Sequence, residues 1–346
     1  MKEVPIKIDQ FILENIEKHS SDIVTVVAEK FGFSRQRAHE YVDREVKKGI
    51  LIKVGRTSAT RYFLVQGNYL EFTVNLKFGL AEDQVWTEYL KPMMQRFPDN
   101  IYRICNYGFT EILNNAIDHS NGKSVLISVE IKDERIKINI MDDGIGIFEK
   151  IQKALNLHSM REALLHLSKG KFTTDPANHT GEGIFFTSRI CDKFAILSND
   201  LYYTFLGHDW FLSSEKRETG SEGTLISMIV SLNSTKTPKE VMDQYADQEI
   251  GFTKTIVAVA LSADPNDPHN SRSQAKRLMM GLEKFRQIIL DFQGVESVGQ
   301  AFIDEVFRVF KNEYPNIMIQ FTNANDEVTS MITRAGTDAV NLDKVE

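Results

Sequence analysis

The amino-acid sequence predicts a multi-domain protein with a small α+β domain at the N-terminus and two α/β domains after it. The chain has 346 residues, and globular domains usually take roughly 100–200 residues each. The spacing of apolar residues changes between helical and strand periods at several points. Charge is uneven as well, because residues 1–65 carry 12 Lys and Arg against 9 Asp and Glu, whereas the remainder has a net charge of −10.

The composition excludes several classes of protein. With 42% hydrophobic and 26% charged residues, the chain is neither disordered nor collagen-like. Its two cysteines, Cys105 and Cys191, lie far apart, and charges run through the first 20 residues, so we expect a cytoplasmic protein with reduced thiols. No apolar run reaches the roughly 18–20 residues that a membrane helix needs, so no membrane role is expected.

Residues 1–66 predict three helices followed by a β-hairpin. Helical spacing covers Ile8–Lys18, Ile23–Phe31 and Arg35–Lys48, with Ser34 as the N-cap of the third helix. Strand spacing then follows in Ile50–Val54 and Arg61–Val65. This order resembles a winged helix-turn-helix domain.

In the winged-helix family the third helix enters the major groove of DNA and the wing contacts the backbone. The resemblance therefore implies DNA as a partner and makes this set of residues its candidate contacts: Arg35, Gln36, Arg37, Arg44 and Arg56. The excess of +3 also fits a domain that is purely structural or docks another protein, and this alternative stays open.

A periodic helix over Tyr102–Ser120 places polar residues at positions i, i+3, i+4, i+7 and i+8. This spacing puts them on one helical face. Carboxylate and amide oxygens on such a face suit Mg²⁺, although a solvated polar face has the same pattern. The residues are Glu111, Asn114, Asn115, Asp118 and His119.

Three glycine-containing motifs follow this helix. A strand pair, Val125–Ile131 and Arg135–Met141, leads into the sequence DDGIG at 142–146. The sequence HTGEGI at 179–184 precedes a helix, whose first amides can bind phosphate. Finally, Gly223–Thr224 begins a strand.

Together and in this order, the four motifs resemble the N, G1, G2 and G3 boxes of the GHKL (Bergerat-fold) ATPase superfamily, over residues 67–232. The resemblance implies an α/β sandwich that binds ATP and Mg²⁺, with Glu111 as the catalytic carboxylate that activates water and Asn115 beside it at the metal. Asp142 matches the residue that binds the adenine amine. The other implied ATP-binding residues are Gly144, Gly146, Lys171, Thr180, Gly181, Gly183 and Thr224.

Residues 148–178 match the ATP lid of this superfamily, in which Lys169, Lys171 and Thr173 or Thr174 are candidates for phosphate contacts. The paired dimerisation helices of histidine kinases have no counterpart in residues 66–100. The N box, E-x-x-x-N-A-x-x-H, is most similar to that of anti-sigma-factor kinases. Whether the acceptor is water or a protein hydroxyl stays open.

Residues 233–250 are polar and predict a linker, and residues 251–336 predict alternating strands and helices with a parallel sheet. The run Ile288–Phe310 resembles the STAS fold of anti-sigma-factor antagonists. The family's phosphorylated serine has no counterpart, because Gly299, Gln300 and Ala301 occupy the matching positions. A protein partner for this domain stays open beside a merely solvated surface, and we expect a tail at 337–346.

These features predict a cytoplasmic bacterial regulator whose ATP-binding domain controls a DNA-binding head, with slow ATP hydrolysis. One alternative is a serine/threonine kinase that acts on a partner protein. A nucleotide-driven clamp is a third reading, but the transducer domain of such clamps is absent from the sequence. A homodimer stays open.

Overall fold

The computed structural model describes residues 8–55, 60–77, 79–173, 180–206, 209–214, 223–247, 249–262, 269–336 and 338–344. The N-terminal domain has the predicted element order. The Ser34 hydroxyl caps its third helix by accepting a hydrogen bond from the Arg37 amide at 3.3 Å. The elements are α1 Ile8–Asn15, α2 Ile23–Phe31, α3 Arg35–Lys47, β1 Leu51–Val54 and β2 Arg61–Leu64.

The β1–β2 hairpin is buried on both of its faces. Leu51 and Tyr62 belong to the apolar core that the three N-terminal helices form. Ile52, which pairs with Phe63, and Val54 belong instead to the core of the next domain. Because side chains alternate along a strand, one hairpin serves as a wall of two cores.

A seven-stranded antiparallel sheet forms the second domain, in the order β3-β4-β5-β9-β6-β7-β8. Every second residue of the central strands is buried, as expected for a sheet covered by helices on one face. The strands are β3 Tyr69–Asn75, β4 Ser124–Lys132, β5 Arg135–Asp142, β6 Lys193–Ser198, β7 Leu201–Leu206, β8 Asp209–Ser214 and β9 Thr224–Ser231.

The longest helix of this domain packs against β5 and β9 through Ile104, Phe109 and Ile112. Its opposite face is therefore turned away from the sheet. A π-helical turn, Trp86–Leu90, joins the first two of the six helices. They are α4 Glu82–Val85, α5 Lys91–Met94, α6 Asp99–His119, α7 Ile147–Leu155, α8 Met160–Lys169 and α9 Gly183–Ile190.

The predicted linker at 233–250 contains a docked helix. α10, Pro238–Asp243, has a capping box between Thr237 and Glu240 and packs against α6 and α9. Val241 and Tyr245 are buried. The sequence pattern did not indicate this helix, because too few apolar residues precede Val241 to form a helical period. A two-stranded ribbon follows, β10 Ala246–Asp247 with β11 Gly251–Phe252.

The C-terminal domain has a four-stranded parallel sheet in the order β12-β13-β14-β15, which confirms the predicted parallel pairing. Its last strand lies in the predicted tail, so the domain extends past residue 336. The elements are β12 Lys254–Ala258, α11 Arg272–Met279, β13 Gln287–Asp291, α12 Gln300–Ile303, α13 Phe310–Glu313, β14 Met318–Thr322, α14 Asp326–Arg334 and β15 Val340–Asn341.

Several irregular turns complete this domain. Short 3₁₀ helices cover Val259–Ser262, Leu282–Lys284 and Leu342–Lys344. A π-helical turn, Asp304–Val309, joins α12 to α13. Across the described parts of the chain, we find no helix with the length and apolar character needed to span a membrane.

Candidate functional site

A cavity lies beside α6, where the polar residues of this helix adjoin strands β5 and β9 of the sheet. Four of the five polar residues predicted on one face of α6 line the cavity. They are Glu111, Asn114, Asn115 and His119. Asp118 is exposed and does not line the cavity. The sheet-facing residues of α6 are apolar, and this polarity difference orients the helix.

The Asp142 carboxylate forms the floor of the cavity at the end of β5. Its Oδ1 accepts hydrogen bonds from the Gly144 amide at 2.9 Å and the Thr224 amide at 3.3 Å. Asp142 is 8% exposed, and burial raises its pKa. A carboxylate fixed in this way can accept a hydrogen bond from an amine inside the cavity.

Gly146 also lines the cavity and has a φ of 86°, a conformation that L side chains rarely adopt. A Cβ at this position would collide with the side chains of Asn199 and Ser198. Gly144 does not line the cavity. It packs against the Ser120 carbonyl, where a Cβ would also collide, so its role is to bring the loop close to α6.

The start of α9 faces the same cavity. Thr180, Gly181, Glu182 and Gly183 all line it. A Cβ on Gly183 would collide with the Glu111 carboxylate, so glycine allows that carboxylate to approach the first turn of α9. The first amides of a helix lack intrahelical partners and attract anions. This corner therefore combines amide donors with a carboxylate that can accept a proton or hold a metal-bound water.

Thr224 fixes the loop opposite α6. Its side-chain oxygen accepts a hydrogen bond from the Ile147 amide at 2.9 Å, at the first residue of α7. The Thr224 side chain lines the cavity while its amide binds Asp142. One residue thus holds both the floor of the cavity and the helix beside it.

Lys150 is a cavity residue that the sequence analysis missed. It lies three residues after Ile147 on the same face of α7, and this spacing was the signal available. Its ammonium donates to the His119 carbonyl at 2.6 Å, and burial lowers its pKa. Among the described residues lining the cavity, Lys150 is the one lysine or arginine, whereas Glu111, Asp142 and Glu182 are acidic.

Lys171, predicted to bind ATP, lies outside the cavity wall. Gly170 and Lys171 have φ values of 79° and 53°, so the chain turns here and points the lysine toward the C-terminal domain. Its ammonium donates to the Lys284 carbonyl at 3.2 Å. Lys169 is also directed to that domain, whereas Thr173 lines the cavity. The candidate Thr174 falls outside the described residues.

The candidate DNA contacts on α3 are exposed. Arg35, Gln36, Arg37 and Arg44 lie on the solvent side of the helix. The Arg37 guanidinium stacks over Phe33 at 4.7 Å and the Arg44 guanidinium over Tyr41 at 4.7 Å. Arg56 lies outside the described residues.

Gly299, one of the three positions matching the STAS phosphoacceptor, is sterically closed. The Gly299 amide donates to the His269 carbonyl at 3.0 Å, and a Cβ on Gly299 would lie 2.8 Å from the Asn270 carbonyl oxygen. A serine at this position would therefore require the neighbouring loop to move. This explains structurally why glycine stands here.

Two parts of the chain match known protein families. Residues 107–234 match the family described as histidine kinase-, DNA gyrase B-, and HSP90-like ATPase. Residues 274–329 match the family described as STAS-like domain of unknown function. The chain therefore contains a GHKL-type ATPase domain followed by a STAS-like domain, in the predicted order. No curated protein matches the chain.

Proposed function

We propose that this protein is a bacterial cytoplasmic regulator in which ATP, bound with Mg²⁺ in the cavity, controls DNA binding by the N-terminal domain. The family of the central domain supports nucleotide binding. In this proposal Asp142 accepts the adenine amine, and Gly146 and Thr224 shape the base pocket. The start of α9, from Thr180 to Gly183, takes the phosphates.

The polar set on α6 fits a magnesium site. Asn115 supplies an amide oxygen and Glu111 a carboxylate, and Mg²⁺ prefers such ligands while keeping several of its waters. No group of three or more His, Cys, Asp or Glu side chains suited to a metal occurs among the described residues.

The observation that carries the link to DNA is the two-faced hairpin. Ile52, Val54 and Phe63 pack into the ATPase core, while Leu51 and Tyr62 pack beneath the helices that bear the exposed arginines. A shift in the ATPase core would therefore move the hairpin and, through it, the N-terminal domain. Stacking on Phe33 and Tyr41 holds Arg37 and Arg44 in place for phosphate contacts.

The test measures DNA affinity in three nucleotide states. Duplexes selected from a random pool by the full-length protein are titrated by fluorescence anisotropy without nucleotide, with Mg-ADP and with a non-hydrolysable Mg-ATP analogue. We expect the affinity to differ at least fivefold between states. The Asp142→Asn variant should bind DNA but lose this dependence. Equal affinity in all three states would contradict the proposal.

Arginine variants test the surface. Arg37→Ala and Arg44→Ala should each weaken DNA binding and reduce its salt dependence. The matched control is Lys239→Ala, which removes an exposed cation from α10. If only the control lost DNA affinity, the DNA interface would not lie on α3.

A kinase that phosphorylates a partner is the second candidate, and the placement of Glu111 is compatible with it. Its carboxylate lies against the start of α9, where it could take a proton from either water or a protein hydroxyl. Following γ-labelled ATP with wild type and Glu111→Ala distinguishes ATP hydrolysis from phosphorylation of a protein. Free phosphate that is lost in Glu111→Ala indicates hydrolysis, whereas label on a cellular protein indicates a kinase.

A further inference from the structure

Residues 169–173, here called the shared segment, lie between the cavity and the C-terminal domain. Phe172 and Thr173 line the cavity. Lys169 and Lys171 direct their ammonium groups to backbone carbonyls of the C-terminal domain. One short segment therefore contacts the cavity on one side and the C-terminal domain on the other.

Lys169 makes the most buried of these contacts. Its side chain is 2% exposed, and its ammonium donates to the carbonyl oxygens of Arg277 at 3.1 Å and Met280 at 2.9 Å. These carbonyls lie at the end of α11, where the helix offers no internal donors. Burial of an ammonium is costly unless it is hydrogen-bonded, so this contact fixes the position of the segment.

Two further contacts hold the segment. The fully buried Thr255 hydroxyl, on β12, donates to the Lys169 carbonyl at 2.7 Å. The Lys171 ammonium lies 5.0 Å from the Phe285 ring centroid and 5.5 Å from that of Phe252. Close by, Arg277 pairs with Glu162 of α8 at 3.5 Å.

The cavity side of the segment is equally constrained. A Cβ on Gly181 would collide with the backbone of Phe172, so the shared segment packs directly on the loop that precedes α9. Any displacement of the segment therefore moves Phe172, Thr173 and Gly181 together. All three line the cavity.

We propose that the C-terminal domain regulates nucleotide binding by holding the shared segment in the cavity wall. The proposal rests on the ATP binding proposed above and does not depend on DNA binding. Coupling between two sites is reciprocal. Bound nucleotide therefore also strengthens the docking of the C-terminal domain on the ATPase domain.

Two variants remove contacts without touching the cavity. Thr255→Val replaces the buried hydroxyl by a methyl group of the same shape, and Lys171→Met keeps the apolar stem but removes the charge. Matched controls are Thr253→Val, two residues earlier, and Lys153→Met on α7. Affinity for fluorescent mant-ATP with Mg²⁺ is measured on the full-length proteins, after circular dichroism shows that each is folded.

We expect Thr255→Val and Lys171→Met to weaken mant-ATP binding about threefold to tenfold, the size expected for one buried hydrogen bond. The controls should stay within about twofold of wild type. In hydrogen exchange, Mg-ATP should slow the amides of residues 277–285 in wild type, and this protection should diminish in both variants.

Unchanged mant-ATP affinity in both variants would overturn the proposal. So would amide hydrogen exchange at residues 277–285 of the wild type that is the same with and without Mg-ATP. Failure of the wild type to bind mant-ATP would overturn both this proposal and the proposed function. If mant-ATP binding responds to the variants as expected but nucleotide does not change DNA affinity, only the proposed regulation of DNA binding is overturned. The two failures are therefore distinguishable.

Discussion

The Thr224 amide donates a hydrogen bond to Asp142 Oδ1 at 3.3 Å and so joins the start of β9 to the end of β5. These strands are neighbours in the sheet although 82 residues separate the two positions. The contact orients the Asp142 carboxylate before any ligand binds. A preoriented acceptor costs less to use than one that must be ordered on binding.

Asp142→Asn should lower ATP affinity about 10-fold to 100-fold. The substitution replaces a charged acceptor by an amide, and hydrogen bonds to charged groups contribute roughly 1.5–3 kcal/mol. Isothermal titration calorimetry with Mg-ATP measures the change. Asp143→Asn is the control, because Asp143 accepts from the amides of Lys123 and Ser124 outside the cavity wall. Equal losses in the two variants would argue against Asp142 as the adenine acceptor.

Lys150→Met should also weaken ATP binding, about tenfold, because the substitution removes a cation from a wall that is otherwise acidic. Adenosine, which has no phosphate, should bind the variant and wild type equally. Lys153→Met provides a control one turn along α7, where the lysine is 68% exposed and pairs with Glu149. A matching loss of adenosine affinity would show that Lys150 acts through the fold instead.

Gly146→Ala should destabilise the protein by about 1–3 kcal/mol more than Gly251→Ala. Both glycines have positive φ, 86° and 83°, so both variants place a Cβ on a residue with positive φ. A Cβ on Gly146 meets Asn199 and Ser198, whereas one on Gly251 meets nothing within 4 Å. Urea unfolding gives the free energies. Similar values for the two variants would mean that the loop at 146 moves aside.

Acid should weaken the fold around His166. Burial, together with the nearby positive charges of Lys169 and Lys284, lowers the pKa of His166 from an ordinary 6.5 to about 3. Below pH 6.5 the unfolded chain binds a proton that the folded chain does not, so stability falls as the pH falls from 6.5 toward 3.

Because of this histidine, the free energy of unfolding should be about 2 kcal/mol lower at pH 5 than at pH 7.5. Urea unfolding at both pH values measures the difference. A His166→Leu variant removes the titrating group and controls for other residues that titrate in this range. If the variant loses as much stability on acidification as wild type, His166 is not the group responsible.

The sequence allowed the fold class and much of the cavity to be predicted, because local patterns specify both. The polar spacing on α6 and the glycine motifs lie within short stretches of chain, and the structure places Glu111, Asn115, Asp142 and Gly183 around one cavity. The roles assigned to these residues stay predictions until they are tested.

Long-range contacts were not predictable in the same way. Lys171 was assigned to the phosphates because it follows a helix in the lid, but its partner carbonyl belongs to Lys284, more than 100 residues later. Lys169 was likewise a candidate for a phosphate contact, but it is buried against the carbonyls at the end of α11. Single-sequence patterns report the period of an element but carry no information on which domain will cover it.

The hairpin at 51–64 has a consequence for how the protein folds and evolves. A fragment that begins after residue 66 would lose Ile52, Val54 and Phe63 and uncover an apolar patch on the ATPase domain. The head alone would expose the same three side chains. Neither the N-terminal domain nor the ATPase domain has a complete apolar core without the other. Exchanging the N-terminal domain between related proteins therefore requires matched changes on both faces of the β1–β2 hairpin.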